Sequence, residues 1–98
     1  MDYINKVELQ GFIGNVQISE NVYRFSLCIE STYSSSLDSF IKTIWIPIVI
    51  FNSPFVITKG MCVKVLGRLN EDKYIDSYLN EHKTLVVIAN NIEVITTN

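Results

Sequence analysis

The sequence has little cysteine, proline, glycine and charge, and each shortage excludes a class of protein. Among 98 residues there are only 2 cysteines, 2 prolines and 4 glycines, and 18% are charged. Cys28 and Cys62 form no Cys-x-x-Cys pair, so no zinc site or other metal site is expected. Two reduced thiols are the preferred interpretation, and a single disulfide is the alternative. With 48% apolar residues, the chain is expected to form a packed core rather than a disordered segment.

Positive charge is also scarce. Eight lysines and arginines stand against ten aspartates and glutamates, which gives a net charge of −2. This balance argues against a protein that holds nucleic acid mainly through bulk positive charge.

No long apolar run is present. The longest, Ile44 to Phe51, has eight residues, well short of the roughly 18–20 that a membrane helix needs. The first six residues lack the basic-then-apolar pattern of a secretion signal. We therefore expect one soluble domain over residues 1–98, located in the cytoplasm, with no membrane partner.

Catalytic patterns are missing as well. The only histidine, His82, lies in a polar stretch that is expected to be a solvated loop. No phosphate-binding, dinucleotide-binding, nucleophile-elbow or metalloprotease motif is present. We expect a protein that is not an enzyme, with no catalytic residue and no cofactor.

The apolar pattern predicts five β-strands. Each has alternating or β-branched apolar positions, and they cover 7–18, 23–30, 43–51, 61–69 and 84–95. A parity change near Gly14-Asn15 predicts a bulge in the first strand. The polar segments 31–39 and 70–83 are expected to be long hairpin loops, and 52–60 leaves room for little or no helix. This pattern fits an all-β, five-stranded Greek-key barrel of the OB-fold type, with a small sandwich as the alternative.

The third strand places two large rings on one face. Its isoleucines occupy one parity and are expected to fill the barrel, which puts Trp45, Pro47, Val49 and Phe51 on the outer face. Trp45 and Phe51 would lie about 20 Å apart at ordinary strand rise. Because Pro47 cannot donate a backbone hydrogen bond, we expect an edge position or bulge there.

Two more aromatics, Tyr33 and Tyr74, fall in the predicted loops. The four rings could pack against a partner subunit or beneath their own loops. Together they describe a platform on which unpaired bases could stack, at about 1–3 kcal/mol per base.

In its motifs the chain resembles the bacterial single-stranded DNA-binding proteins. The opening N-K-V-E-L-Q-G-F-I-G is similar to that family's first strand, and residues 43–51 are similar to its T-E-W-x-x-V-x-x-F third strand. The segment K-G-M-C-V-K-V-L-G-R-L is similar to its fourth strand. The resemblance spans almost the whole chain and implies an OB-fold that binds single-stranded DNA in replication, repair or recombination.

The same resemblance implies roles for particular residues. Tyr33, Trp45, Phe51 and Tyr74 stand at the family's four base-stacking positions, and the first strand would mediate a homotetramer or homodimer. Candidates for phosphate contacts are Arg24, Lys42, Lys64, Arg68 and Lys73.

Some features depart from the family. Two acids, Glu71 and Asp72, stand in a segment where the family is basic, and the chain ends without an acidic tip. Recruitment of other proteins through such a tail is therefore not expected. The proline in strand three also favours an alternative, a dimeric primosomal replication protein that acts mainly as a protein-interaction module.

Overall fold

A computed structural model describes residues 2–34 and 39–96, and for residues 33, 34, 39 and 40 it describes the backbone alone. The segments with alternating apolar side chains form five strands. These are β1 (Val7–Ser19), β2 (Val22–Ser34), β3 (Ser39–Phe51), β4 (Cys62–Ile75) and β5 (Glu81–Val94). None of the described residues belongs to a helix long and apolar enough to span a membrane.

The strands close into a barrel in the order β1-β2-β3-β5-β4. All neighbours are antiparallel except β3 and β5, which are parallel and pair at Ile48↔Val87 and Val49↔Ile88. Within the described residues, β3 has that second neighbour only at these two positions. Pro47, which faces Ser26 of β2, therefore lies where β3 is still an edge, as expected for a residue without an N–H group. The strand number, order and closure confirm the predicted OB-fold class.

The core is built from the inward positions of all five strands. Leu27, Ile48, Val63 and Val65 have no exposed surface, and Ile57 from the β3–β4 connection closes one end of the barrel at 2% exposure. The connection contains no helix, in agreement with the prediction. Burying side chains of this kind contributes about 1.5–3 kcal/mol each, so this layer dominates the stability of the fold.

The predicted bulge in β1 is present. The β1–β2 pairing shifts register between Ile13 and Val16, and Gly14 and Asn15 form the irregular step. This places the two halves of β1 against different neighbours. Val7 to Phe12 pair with β4, and among the described residues the pairing with β2 begins at Phe12.

The two segments predicted as loops are largely β-ribbons. β2 and β3 remain paired out to Ser34↔Ser39, and β4 and β5 remain paired out to Ile75↔Glu81. The described side chains of both ribbons are exposed apart from Val86 at the base of the second ribbon, and they show no apolar alternation. The ladder of backbone hydrogen bonds forms without such a pattern, which explains why the strands were predicted too short. We call the paired residues 70–75 and 81–86 the β4–β5 arm.

Two side chains differ in exposure from other residues of the same strand parity. Val49, assigned to the open outer face, is only 4% exposed because it lies at the bottom of a groove that the base of the β4–β5 arm closes on one side. Leu69, which shares the sequence parity of the buried Val63 and Val65, is nevertheless 46% exposed because β4 has passed the end of the core at Gly67.

Candidate functional site

An open groove of about 490 Å³ crosses the outer face of the barrel. One wall comes from β1, β2 and β3, and the other comes from the β4–β5 arm. We call it the central groove, and its lining includes Arg24, Trp45, Val49, Asp72, Tyr74 and Val86. The fold therefore places the third-strand tryptophan and the arm tyrosine in the same depression, although they are far apart in the chain.

Two smaller hollows extend the central groove. The Trp45 hollow is lined by Gly14, Asn15, Ser26, Trp45 and Lys59. The Phe51 hollow includes Phe51 and shares Arg24, Val49, Asp72 and Val86 with the groove. Because neighbouring depressions share lining residues, they adjoin one another, and Trp45, Tyr74 and Phe51 line this path of adjoining depressions.

The indole of Trp45 packs against Gly14, which has no side chain to displace it. A Cβ added to Gly14 would lie 2.6 Å from Cζ3 of the indole and 2.6 Å from Oγ of Ser26. The indole therefore packs directly over the backbone of the β1 bulge. It nevertheless stays 57% exposed, so more than half of its surface remains open to a ligand.

Phe51, at the end of β3, is 55% exposed. It follows the same face of the strand as Trp45, as the alternation predicted. Exposing two rings of this size on one strand is unfavourable for a surface with no partner, which points to a binding role for the face.

Tyr74 lies on the β4–β5 arm and not in a loop. It is 55% exposed and faces His82 across the ribbon, with ring centroids 4.8 Å apart and ring planes at 15°. His82 therefore belongs to a paired strand and an aromatic stack. The expectation of a loop at His82 is wrong, whereas its side chain is exposed, as expected.

Asp76 anchors the turn that follows Tyr74. Its Oδ1 accepts hydrogen bonds from the backbone N–H groups of Tyr78 and Asn80 at 2.9 and 3.0 Å. Its Oδ2 lies 2.7 Å from Nε2 of His82. The hydrogen bond from His82, supported by the two backbone bonds, lowers the pKa of the Asp76 carboxyl below its usual value.

Acidic partners accompany three of the five predicted phosphate-contacting residues. Arg24 lies 3.7 Å from Asp72, Lys64 lies 3.0 Å from Glu8, and Lys73 lies 4.0 Å from Glu81. The hydrogen bond to Glu8 raises the pKa of Lys64, which keeps that ammonium charged. Each pair is solvent-exposed and individually weak, so an incoming phosphate could compete with the carboxylate.

The predicted cations are spread over the surface rather than gathered at the groove. Only Arg24 lines the central groove. Arg68 donates a hydrogen bond from Nη1 to Oδ1 of Asn90 at 2.9 Å, and Lys42 is exposed on β3. The phosphate-contacting roles of these five residues stay predictions.

Tyr33 is the one predicted stacking residue that the structure does not locate. Its backbone pairs with Phe40 in the β2–β3 ribbon, but its side chain lies outside the described residues. Its stacking role stays a prediction.

Three contributors were missed by the sequence reasoning. Gly14 was used to place the bulge but not to seat Trp45, Lys59 was quoted only as part of a strand motif, and His82 was set aside. His82 could have been found by extending the β4–β5 register past the apolar positions, which puts it opposite Tyr74.

The structural comparisons agree with this geometry. A Plasmodium falciparum single-stranded DNA-binding protein in complex with single-stranded DNA matches with a TM-score of 0.74 and 23% identity, over 100% of this chain and 98% of that one. The chain shares its fold.

Two further solved structures support the same assignment. A deletion mutant of the Thermus aquaticus single-stranded DNA-binding protein has a TM-score of 0.75 at 13% identity, over 95% of this chain and 51% of that one. The Saccharomyces cerevisiae mitochondrial protein Rim1 has a TM-score of 0.62 at 20% identity and full coverage of both chains. No family model and no curated sequence matches. The resemblance inferred from the sequence is thus confirmed at the level of the fold.

Proposed function

We propose that this protein binds single-stranded DNA without catalysis and with little sequence preference. The observation that carries the proposal is the path of adjoining depressions in which Trp45, Tyr74 and Phe51 are all about half exposed. Every base presents a π-face, so such a path favours unpaired strands and tolerates any sequence. Duplex DNA keeps its bases stacked inside and offers no comparable partner. The shared fold of the DNA-binding proteins above supports the same function.

Stacking is the main source of affinity in this proposal. The chain has a net charge of −2, and Arg24, the predicted cation that lines the groove, is already paired with Asp72. Binding should therefore release few counterions, so affinity should fall only gently with salt. A plot of the logarithm of the binding constant against the logarithm of the salt concentration should have a negative slope of about 0.7 for each neutralised phosphate. Tyr33, Lys42, Lys64, Arg68 and Lys73 complete the proposed contact set.

A titration with oligo-dT tests this function through Trp45, the only tryptophan in the chain. Strong fluorescence quenching with a submicromolar midpoint and a shallow salt dependence is the expected result. An equal-length duplex is the matched control ligand and should leave the signal nearly unchanged. No quenching by oligo-dT at low salt would refute the proposal and favour the protein-interaction module instead.

We further propose self-association through β1, as a dimer or tetramer. Among the described residues, Val7 to Gly11 pair with β4 but have no partner on the β2 side. Nearby Ile4 and Phe12 are 85% and 57% exposed, so the free edge is flanked by apolar surface. An unpaired edge of this kind accepts another strand. Light scattering should report two or four times the 11.2 kDa chain mass, and a monomer at all concentrations would contradict the assembly.

The proposed cellular role follows from the binding. A protein that covers unpaired strands serves replication, repair and recombination, where such strands arise. Protection of single-stranded DNA from a nuclease in the presence of the protein would test this role.

A further inference from the structure

The β4–β5 arm carries a unit of three side chains that base stacking alone does not explain. Tyr74 stacks on His82 at 4.8 Å, and Nε2 of His82 lies 2.7 Å from Oδ2 of Asp76. Asp76 is in turn held by two backbone N–H groups of its own turn. A chain of contacts therefore connects the tyrosine ring to the rigid turn at the end of the arm.

The unit restrains a side chain that would otherwise rotate. Tyr74 is 55% exposed, and outside the stack the structure shows no aromatic partner for it among the described residues. A free ring would lose rotational freedom when a base stacks on it, at a cost of about 0.5–1.5 kcal/mol for an immobilised side chain. A ring that is already stacked has lost much of this freedom before the ligand binds.

The stack also determines which face of Tyr74 remains available. His82 covers one face of the tyrosine ring, and Tyr74 lines the central groove while His82 does not. Because Tyr74 lines the central groove and His82 does not, the part of the tyrosine that a strand in the groove would meet is not covered by His82. A base on the uncovered face would extend the order His82–Tyr74 to a three-ring stack.

We propose that His82, anchored by Asp76, is a positioning residue that orients Tyr74 for base stacking. This inference rests on the proposed single-stranded DNA binding and adds a specific role for the only histidine. His82 acts through Tyr74 and does not itself contact the DNA. By register, Lys73, Lys83 and Glu81 belong to the opposite face of the ribbon, whereas Asp72 shares the face of Tyr74 and His82.

The test is a double-mutant cycle in the full chain, read through Trp45 quenching by oligo-dT. H82A is expected to raise Kd about 3- to 10-fold, as expected for loss of one preordered side chain. H82F keeps an aromatic ring beside Tyr74 but loses the hydrogen bond to Asp76, so its Kd should lie between those of wild type and H82A. In a Y74A background H82A should add nothing, because the residue it positions is gone.

Two further readouts separate positioning from other roles. A direct phosphate contact by His82 would reduce the salt slope in H82A, whereas positioning leaves the slope unchanged. Proton NMR of the free protein should show an upfield ring-current shift of the His82 imidazole protons that disappears in Y74A. Thermal unfolding of H82A and H82F checks that both variants are folded.

The outcomes distinguish the positioning role of His82 from the proposed binding of single-stranded DNA. Wild-type binding with an unaffected H82A, additive effects of H82A and Y74A, or a reduced salt slope would each overturn the positioning role alone. A wild-type chain that fails to bind oligo-dT overturns the proposed function, and the inference with it.

Discussion

Substituting Gly14 by alanine should displace Trp45 without removing it. The new Cβ would lie 2.6 Å from Cζ3 of the indole, so the ring must move by about 0.8 Å to reach an ordinary 3.4 Å contact. The second obstacle is Oγ of Ser26, also 2.6 Å away. Both obstacles are side-chain atoms that can yield. The barrel should therefore still fold, with a stability loss of about 1–3 kcal/mol, while the stacking platform shifts.

The binding effect can be bracketed by removing the ring altogether. A base stacked on an aromatic contributes about 1–3 kcal/mol, so Trp45→Ala should raise Kd by about 5- to 150-fold. Gly14→Ala keeps the ring at a displaced position and should fall between wild type and that value, at about 3- to 10-fold. The assay is the oligo-dT titration, with Trp45 quenching for Gly14→Ala and fluorescence anisotropy of labelled DNA for both variants.

Two controls make the outcome decisive. Ser26→Ala added to Gly14→Ala removes the hydroxyl contact but leaves the indole contact, so the binding defect should persist. Gly14→Ala should have no further effect on binding in a Trp45→Ala background. If Gly14→Ala binds with wild-type affinity while Trp45→Ala is weakened, the idea that the β1 bulge seats the indole is wrong.

Three further predictions concern stability, charge and pH. Leu27→Ala, at a position with no exposed surface, should lower the free energy of unfolding by about 2–5 kcal/mol in a denaturant titration, and a loss below 1 kcal/mol would contradict the assigned core. Asp72→Asn should release Arg24 from its ion pair and remove a negative charge from the groove. The Kd for oligo-dT should therefore fall by up to about five-fold at low salt. Weaker binding would instead show that the carboxylate holds Arg24 in a productive position. The pKa of Asp76 is lower in the folded state than its ordinary value of 3.8, so the ionised carboxylate stabilises the folded turn. This stabilisation is fully present above pH 3.8 and is lost as the pH falls through the lowered pKa. Hydrogen exchange of the Tyr78 and Asn80 amides should accelerate relative to the unfolded-chain rate in that acid range, and Asp76→Asn should abolish the change.

The barrel was predictable because its strands obey a local rule. Tyr23 to Glu30 alternate in sequence, Val63, Val65 and Gly67 share one face of β4, and the parity change near Gly14 marks a bulge that the structure contains. The exposed positions of Trp45 and Phe51 follow from the same alternation. These features depend only on neighbours along one strand.

What could not be predicted depends on pairing across strands. Tyr74 and His82 meet because the ribbon turns at Asp76 to Asn80, and no apolar pattern marks the register of a ribbon with two solvated faces. The burial of Val49 likewise comes from the base of the arm, which another part of the chain supplies. Arg24 and Asp72 are 48 positions apart in sequence, so their pairing appears only once the barrel has closed.

The paired state of the β4–β5 arm also has a calorimetric consequence. Its strand pairing extends to Ile75↔Glu81. A disordered loop that folded onto DNA would show a large negative heat-capacity change and a strongly unfavourable binding entropy. An arm that is already a ribbon should instead bind with a heat-capacity change in proportion to the few rings it covers. Isothermal titration calorimetry at several temperatures would measure this heat-capacity change, and therefore show how much of the arm is already folded in the free protein.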